Sequence, residues 1–183
     1  MIECKVCFRH CRLEEGAVGA CGARKNENGE NVCLNYGELT SLAIDPIEKK
    51  PFARFHPGSR ILSVGSYGCN LFCPFCQNYE IAAARRGEVP TRKVRPETIA
   101  NLAKDSESSG NIGVAFTYNE PMVGWEFVRD SAKLVREKGM VNAVVTNGSV
   151  SPEVLREVLP YIDAFNIDLK GFTEEYYKKL GGD

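Results

Sequence analysis

The sequence predicts an α/β fold of parallel strands joined by right-handed helical crossovers, preceded by a small cysteine-rich segment. Three observations carry this. From residue 61 onward, short apolar runs alternate four times with stretches of helical spacing. Each of those runs ends in polar, charged or thiol-bearing residues. The first 35 residues instead hold Cys4, Cys7, Cys11, Cys21 and Cys33 among glycines, with few large apolar side chains. The division falls near residue 58, giving an N-terminal segment 1–58 and an α/β unit 59–183.

Composition narrows the function classes. A chain of 183 residues, 43% hydrophobic and 26% charged, suits one soluble core with a small satellite. A formal net charge of −1 provides no global attraction to nucleic acid or to an anionic membrane. The N-terminus carries no apolar signal region and no run reaches membrane-spanning length, so a cytoplasmic location is expected. Eight cysteines in a reducing compartment point to metal ligation before disulfides.

In the N-terminal segment the spacing is Cys4-x2-Cys7-x3-Cys11-x9-Cys21, with Gly16, Gly19 and Gly22 between. A segment so poor in core residues needs a staple, and four thiolates can hold zinc tetrahedrally. An iron–sulfur cluster is the main alternative, and the absence of any bound metal is the third reading. His10 reads as a surface residue and Cys33 as a small core residue. Asn28-Gly29 and Gly37-Glu38 are turn signals, which predict a hairpin between extended segments 31–36 and 39–44. Residues 45–58, with Pro46, Pro51, Pro57 and Gly58, read as a loop whose Lys49-Lys50 pair is solvated.

The α/β unit follows. Strands are expected over 61–66, 112–117, 140–146 and 162–169. A polar stretch 85–95 precedes the first crossover helix, 96–108, which has Pro96 in its first turn and Gly110 as its stop. The next helix runs over 121–138 and ends at Gly139. Ser151-Pro152-Glu153 supplies an N-cap, a proline and an acidic first turn to the third, which Pro160 ends. Thr173 opens a last short helix.

In parallel α/β folds functional groups collect at the carboxyl ends of the strands. The first strand ends at Tyr67-Gly68-Cys69-Asn70-Leu71-Phe72-Cys73-Pro74-Phe75-Cys76-Gln77-Asn78, and the second at Thr117-Tyr118-Asn119-Glu120-Pro121. Thr146-Asn147-Gly148 closes the third, and Asn166-Ile167-Asp168-Leu169-Lys170 the fourth. Cys69, Cys73 and Cys76, at C-x3-C-x2-C, can hold three irons of a cubane and leave the fourth iron free for a small molecule. A zinc knuckle or buried thiols are the plainer readings of the same residues. A single polar strand end is usually a helix cap; four on one rim are harder to assign to chance.

The cysteine spacing, with Phe75 just before the third cysteine, resembles the cluster motif of the radical S-adenosylmethionine (SAM) enzymes. Tyr118-Asn119-Glu120-Pro121 resembles a variant of their Gly-Gly-Glu-Pro motif. Thr146-Asn147-Gly148 and Asp168-Leu169-Lys170 are similar to the glycyl-radical (pyruvate formate-lyase) activating enzymes. Cys-x2-Cys…Cys21-Gly22-Ala23-Arg24, Asp45-Pro46-Ile47-Glu48-Lys49-Lys50-Pro51, Gly68-Cys69-Asn70 and Cys76-Gln77-Asn78 resemble the AmmeMemoRadiSam family over nearly the whole chain.

This resemblance implies a partial parallel (βα) barrel of about six units, of which four are present. It implies a 4Fe-4S cluster on Cys69, Cys73 and Cys76, and SAM against Phe75, Asn119, Glu120, Thr146, Asn147, Asp168 and Lys170. The implied activity is reductive cleavage of SAM to a 5′-deoxyadenosyl radical that abstracts hydrogen, with glycyl-radical activation of another protein as the implied role. The partners that follow are a one-electron donor of the flavodoxin or ferredoxin type, a protein substrate and a second fragment completing the barrel; nucleic acid and membrane are not expected. The strand count leads to the expectation of a truncated product or of completion by another polypeptide. An electron-transfer iron–sulfur protein without SAM chemistry and a zinc-stapled interaction module are the competing readings.

Overall fold

One mixed five-stranded sheet brings the functional residues together. The computed structural model describes residues 1–182. The chain opens with a two-residue ladder, β1 (Ile2–Glu3) against β2 (Arg12–Leu13), followed by a hairpin of β3 (Arg24–Glu27) and β4 (Glu30–Cys33). Asn28 and Gly29, both at positive φ, form its turn. Next come β5 (Glu38–Leu39), β6 (Ser41–Pro46) and β7 (Arg60–Gly65). After α1 (Tyr79–Ala82), β8 (Arg92–Lys93) returns to pair with β5. The crossovers then alternate: α2 (Pro96–Asp105), β9 (Asn111–Phe116), α3 (Trp125–Glu137), β10 (Val141–Thr146), α4 (Pro152–Val158), β11 (Ala164–Ile167) and α5 (Glu174–Lys179).

The sheet order is β11-β10-β9-β7-β6. The four strands expected from the sequence are parallel, as the crossover rule requires. Two expectations are corrected. The hairpin does not join 31–36 to 39–44: its strands are β3 and β4, and the later segment becomes β6. That strand lies antiparallel along β7, from Ser41 opposite Gly65 to Pro46 opposite Arg60. The sheet is therefore mixed, with one edge covered, and among the described residues it does not close into a barrel.

The helices form where their signals stand. Pro96 opens α2, and Gly110, at φ +84°, ends the short 3-10 turn after it. The Ser151 hydroxyl caps α4 by accepting from the Val154 N–H at 3.4 Å. On one face of the sheet Leu62, Val64, Val114, Phe116 and Val144 pack against Ile99, Ala103, Phe127, Val128 and Val135 of the helices. On the other, Ile61, Ala115 and Ala143 are covered by Ile47, Phe52 and Phe55 of the proline-rich loop. No helix among the described residues is long and apolar enough to cross a membrane.

Candidate functional site

β7, β9, β10 and β11 end on one rim around a cleft of about 520 Å³. Its lining includes Cys69, Cys73 and Cys76 together with Phe75, Asn119, Glu120, Thr146, Asn147, Asp168 and Lys170. The structure thus brings together all ten residues that the sequence assigned to this centre.

Backbone and side-chain ties fix the geometry. Asn119 is consumed in joining two strand ends: its Oδ1 accepts from the Ser66 N–H at 3.0 Å, and its Nδ2 donates to the carbonyls of Tyr67 (3.1 Å) and Gly68 (3.0 Å). Glu120, 3% exposed, spans from β9 to β10. Its Oε1 accepts from the Thr146 hydroxyl at 2.7 Å and the Met122 N–H at 3.0 Å, and its Oε2 from the Asn147 N–H at 2.8 Å. Burial pushes its carboxyl up, against the pull of these donors. Asn147 Nδ2 donates to Asn70 Oδ1 at 2.8 Å, and Asn70 Nδ2 to the Ser149 carbonyl at 2.9 Å, so β10 grips the cysteine loop. At the mouth, Lys170 Nζ stands 2.8 Å from Asp168 Oδ2.

Burial and neighbouring charge both act on the thiols. Cys69 Sγ accepts from the Leu71 N–H at 3.4 Å. Burial, and next the charge of Glu120, push its thiol up to about 12, so the thiolate requires a cation beside it. Burial also raises Cys73, while Lys170 pulls it back. Among the described residues no three His, Cys, Asp or Glu side chains converge closely enough for a single metal ion. A cubane asks for no such convergence, because each thiolate binds a different iron. With half-buried thiols in a cleft within the range of small-molecule sites, the residues fit a cluster and a bound cofactor. The zinc expectation for Cys4, Cys7, Cys11 and Cys21 gains no support from this geometry.

Sequence reasoning missed the tie that Lys50 makes. Lys50 is not solvated: it is 4% exposed, with Nζ 2.9 Å from Asp45 Oδ2 and 4.2 Å from the centre of the Tyr118 ring. Tyr118, at φ +74°, donates its hydroxyl to the same Asp45 oxygen at 2.7 Å. A left-handed tyrosine is strained by about 1–2 kcal/mol, and this clasp offsets the strain. Gly65 leaves room for the ring, since a Cβ there would lie 2.8 Å from Tyr118 Cδ2. Burial opposes the Asp45 charge, yet Tyr118 and Lys50 outweigh it and hold the carboxyl at about 2. A Lys-Lys pair between prolines carries no period from which this burial can be read.

The radical SAM superfamily model matches residues 63–183. The chain belongs to the radical SAM superfamily. It is 42% identical over 179 residues to an uncharacterized protein of Methanocaldococcus jannaschii, covering 98% of this chain and 52% of that protein. To the pyruvate formate-lyase 1-activating enzyme of Escherichia coli it is 27% identical over 128 residues, 69% of this chain and 51% of the enzyme. To the 4-hydroxyphenylacetate decarboxylase activating enzyme of Clostridium scatologenes it is 33% identical over 87 residues, 47% of this chain and 28% of the enzyme. The chain therefore spans about half the length of the first two.

Proposed function

We propose that this chain carries the cofactor-binding site of a radical SAM enzyme that activates a protein partner by forming a glycyl radical on it. The observation that supports this best is the meeting of four strand ends in one cleft, where three thiols face Phe75, Glu120, Thr146, Asn147, Asp168 and Lys170. When bound to Cys69, Cys73 and Cys76, a 4Fe-4S cluster supplies the electron that cleaves SAM to methionine and a 5′-deoxyadenosyl radical, which abstracts hydrogen.

The chain's own residues bind and orient. Phe75, 53% exposed, offers an apolar face beside the thiols. Lys170 and Asp168, already paired, provide a cation and an anion for the carboxylate and amino groups of SAM. An ionised carboxylate has about four acceptor sites; Glu120 uses three on the protein, which leaves one for the SAM amino group. Asn119 is spent on the backbone, so its part is to hold Glu120 in place. A flavodoxin- or ferredoxin-type protein serves as the electron donor, and activating enzymes among the relatives support a protein substrate. The test is anaerobic incubation of the iron- and sulfide-loaded chain with SAM and dithionite. 5′-Deoxyadenosine that appears with wild type and vanishes with Cys69→Ala supports the reading; equal amounts from both would remove it.

A further inference from the structure

Cys4, Cys7, Cys11 and Cys21 lie outside the cleft but against its wall. Cys4, Cys7 and Cys21 are buried, and Cys11 is half-buried. The Cys4 N–H donates to the Cys11 carbonyl at 2.9 Å, closing the first loop, and the Gly22 N–H donates to the Gly19 carbonyl at 3.0 Å, holding Cys21 in a tight turn. The turn brings Gly19 against the first loop, where a Cβ on it would lie 3.7 Å from Cys11 Sγ. Cys4 and Cys11 are thus joined through their backbones, and Cys21 lies in the turn that packs beside Cys11.

The Cys4 sulfur is tied to the β3–β4 hairpin. Asn31 Nδ2 donates to Cys4 Sγ at 3.3 Å. The spacing Cys4-x2-Cys7-x3-Cys11 is that of Cys69-x3-Cys73-x2-Cys76 with its two loops in reverse order. As in the cleft, the thiols do not converge on a single-ion site. Two-residue ladders and one four-residue hairpin surround them, with Cys4, Val6 and Leu13 in the main core, so the regular structure about the four sulfurs is slight and a staple would strengthen it.

The nest touches the cleft's cysteine loop directly. A Cβ on Gly68, the residue before Cys69, would fall 2.5 Å from the Cys21 carbonyl oxygen. Arg9 Nε donates to the Asn70 carbonyl at 2.8 Å, and the Arg9 guanidinium lies 4.8 Å from the Phe72 ring centre.

We propose that Cys4, Cys7, Cys11 and Cys21 hold a second 4Fe-4S cluster, closed by four protein thiolates, that relays single electrons across the Cys21–Gly68 contact to the cluster at Cys69, Cys73 and Cys76. The relay half of this rests on the function proposed above; the ligation half does not. With four cysteines no iron is open to SAM, which leaves electron transfer as its chemistry. Each SAM cleavage consumes one electron. The second cluster takes it from a ferredoxin- or flavodoxin-type donor and passes it on, returning to its oxidised state.

The experiment is an iron and sulfide count with electron paramagnetic resonance on the full chain, loaded anaerobically. Wild type is expected to hold about eight irons, and Cys69→Ala/Cys73→Ala/Cys76→Ala about four, at four irons per cluster. The signal of that triple variant is expected not to change with SAM. Cys7→Ala/Cys21→Ala should keep the SAM-sensitive signal and cleave SAM with dithionite, but lose cleavage driven by a reduced ferredoxin. A wild-type count of about four irons, or a triple variant holding zinc or no iron, overturns the second cluster; the wild-type count decides even if a variant does not fold. Unchanged ferredoxin-driven cleavage in Cys7→Ala/Cys21→Ala overturns the relay. Eight irons with no SAM response would instead overturn the function proposed above and leave the second cluster standing.

Discussion

The two cysteine sets are held in different ways. Cys69, Cys73 and Cys76 follow the end of β7, and the Asn119 and Asn147 side chains and the Glu120 backbone N–H bind that loop to neighbouring strand ends. A parallel sheet places such a loop because its strands must end together. The N-terminal four sit among short ladders and one four-residue hairpin, with Cys4 in the main core, and individual side chains add cross-contacts. Arg24, 2% exposed, reaches from β3 to Glu126 on α3 with bonds of 2.8 and 2.7 Å, while Arg9 and Gly68 join the nest to the cysteine loop. One set is thus fixed by topology and the other by individual side chains, so the second should be far easier to detach by single substitutions.

The largest expected effect follows from Arg24. Glu126→Ala leaves a buried guanidinium unpaired and should cost about 3 kcal/mol, read as a lower urea midpoint. The contrast sharpens if the SAM-sensitive signal survives in native buffer. It breaks if stability is unchanged, because Arg24 would then not be the anchor.

Glu120→Gln tests the topological side. The amide keeps the size, but its NH2 cannot accept the bond that one carboxylate oxygen takes and leaves a buried donor unpaired, which should remove about 1–3 kcal/mol from stability and weaken SAM binding. Cluster content should hold, since Glu120 is not a ligand. Loss of iron with unaltered SAM affinity would contradict the assignment of Glu120 to the SAM wall.

Tyr118→Phe should have the smallest effect, about 1 kcal/mol for one hydrogen bond to a charged group partly open to water. It carries a pH signature. Asp45 is held at about 2 in the folded chain, below the ordinary aspartate value, so its contribution is full above the unfolded pKa and is lost as pH falls toward 2. Without the Tyr118 hydroxyl the depression shrinks. The gap in unfolding free energy between wild type and Tyr118→Phe should therefore be widest near neutral pH and close in acid. A gap independent of pH would mean that the hydroxyl does not act through Asp45.

The sequence and the structure agree where local chemistry decides. Pro96, Gly110 and Ser151 mark helix ends by their own backbone or side-chain preferences, and the apolar runs before Cys69, Tyr118 and Asn147 become the parallel strands. Because parallel strands end on one rim, the ten cleft residues could be grouped without coordinates. Long-range pairing was not legible. Ser41-Leu42-Ala43-Ile44-Asp45-Pro46 reads equally well as half of a local hairpin, and only the exposed edge of β7 decides its partner. Lys50 looks solvated beside Lys49 until Asp45 and Tyr118 meet it in three dimensions. Asn70 likewise carries no signal that distinguishes an inter-loop tie from an ordinary turn residue.

The central claim is that Cys69, Cys73 and Cys76 form a cluster site with an iron open to SAM. The most direct measurement is a titration of SAM into the anaerobically loaded and reduced chain, followed by electron paramagnetic resonance. The account predicts that a component of the spectrum shifts with SAM and that Cys69→Ala eliminates that component alone. A reduced cluster spectrum that SAM leaves wholly unchanged, in a chain with full iron, would contradict it.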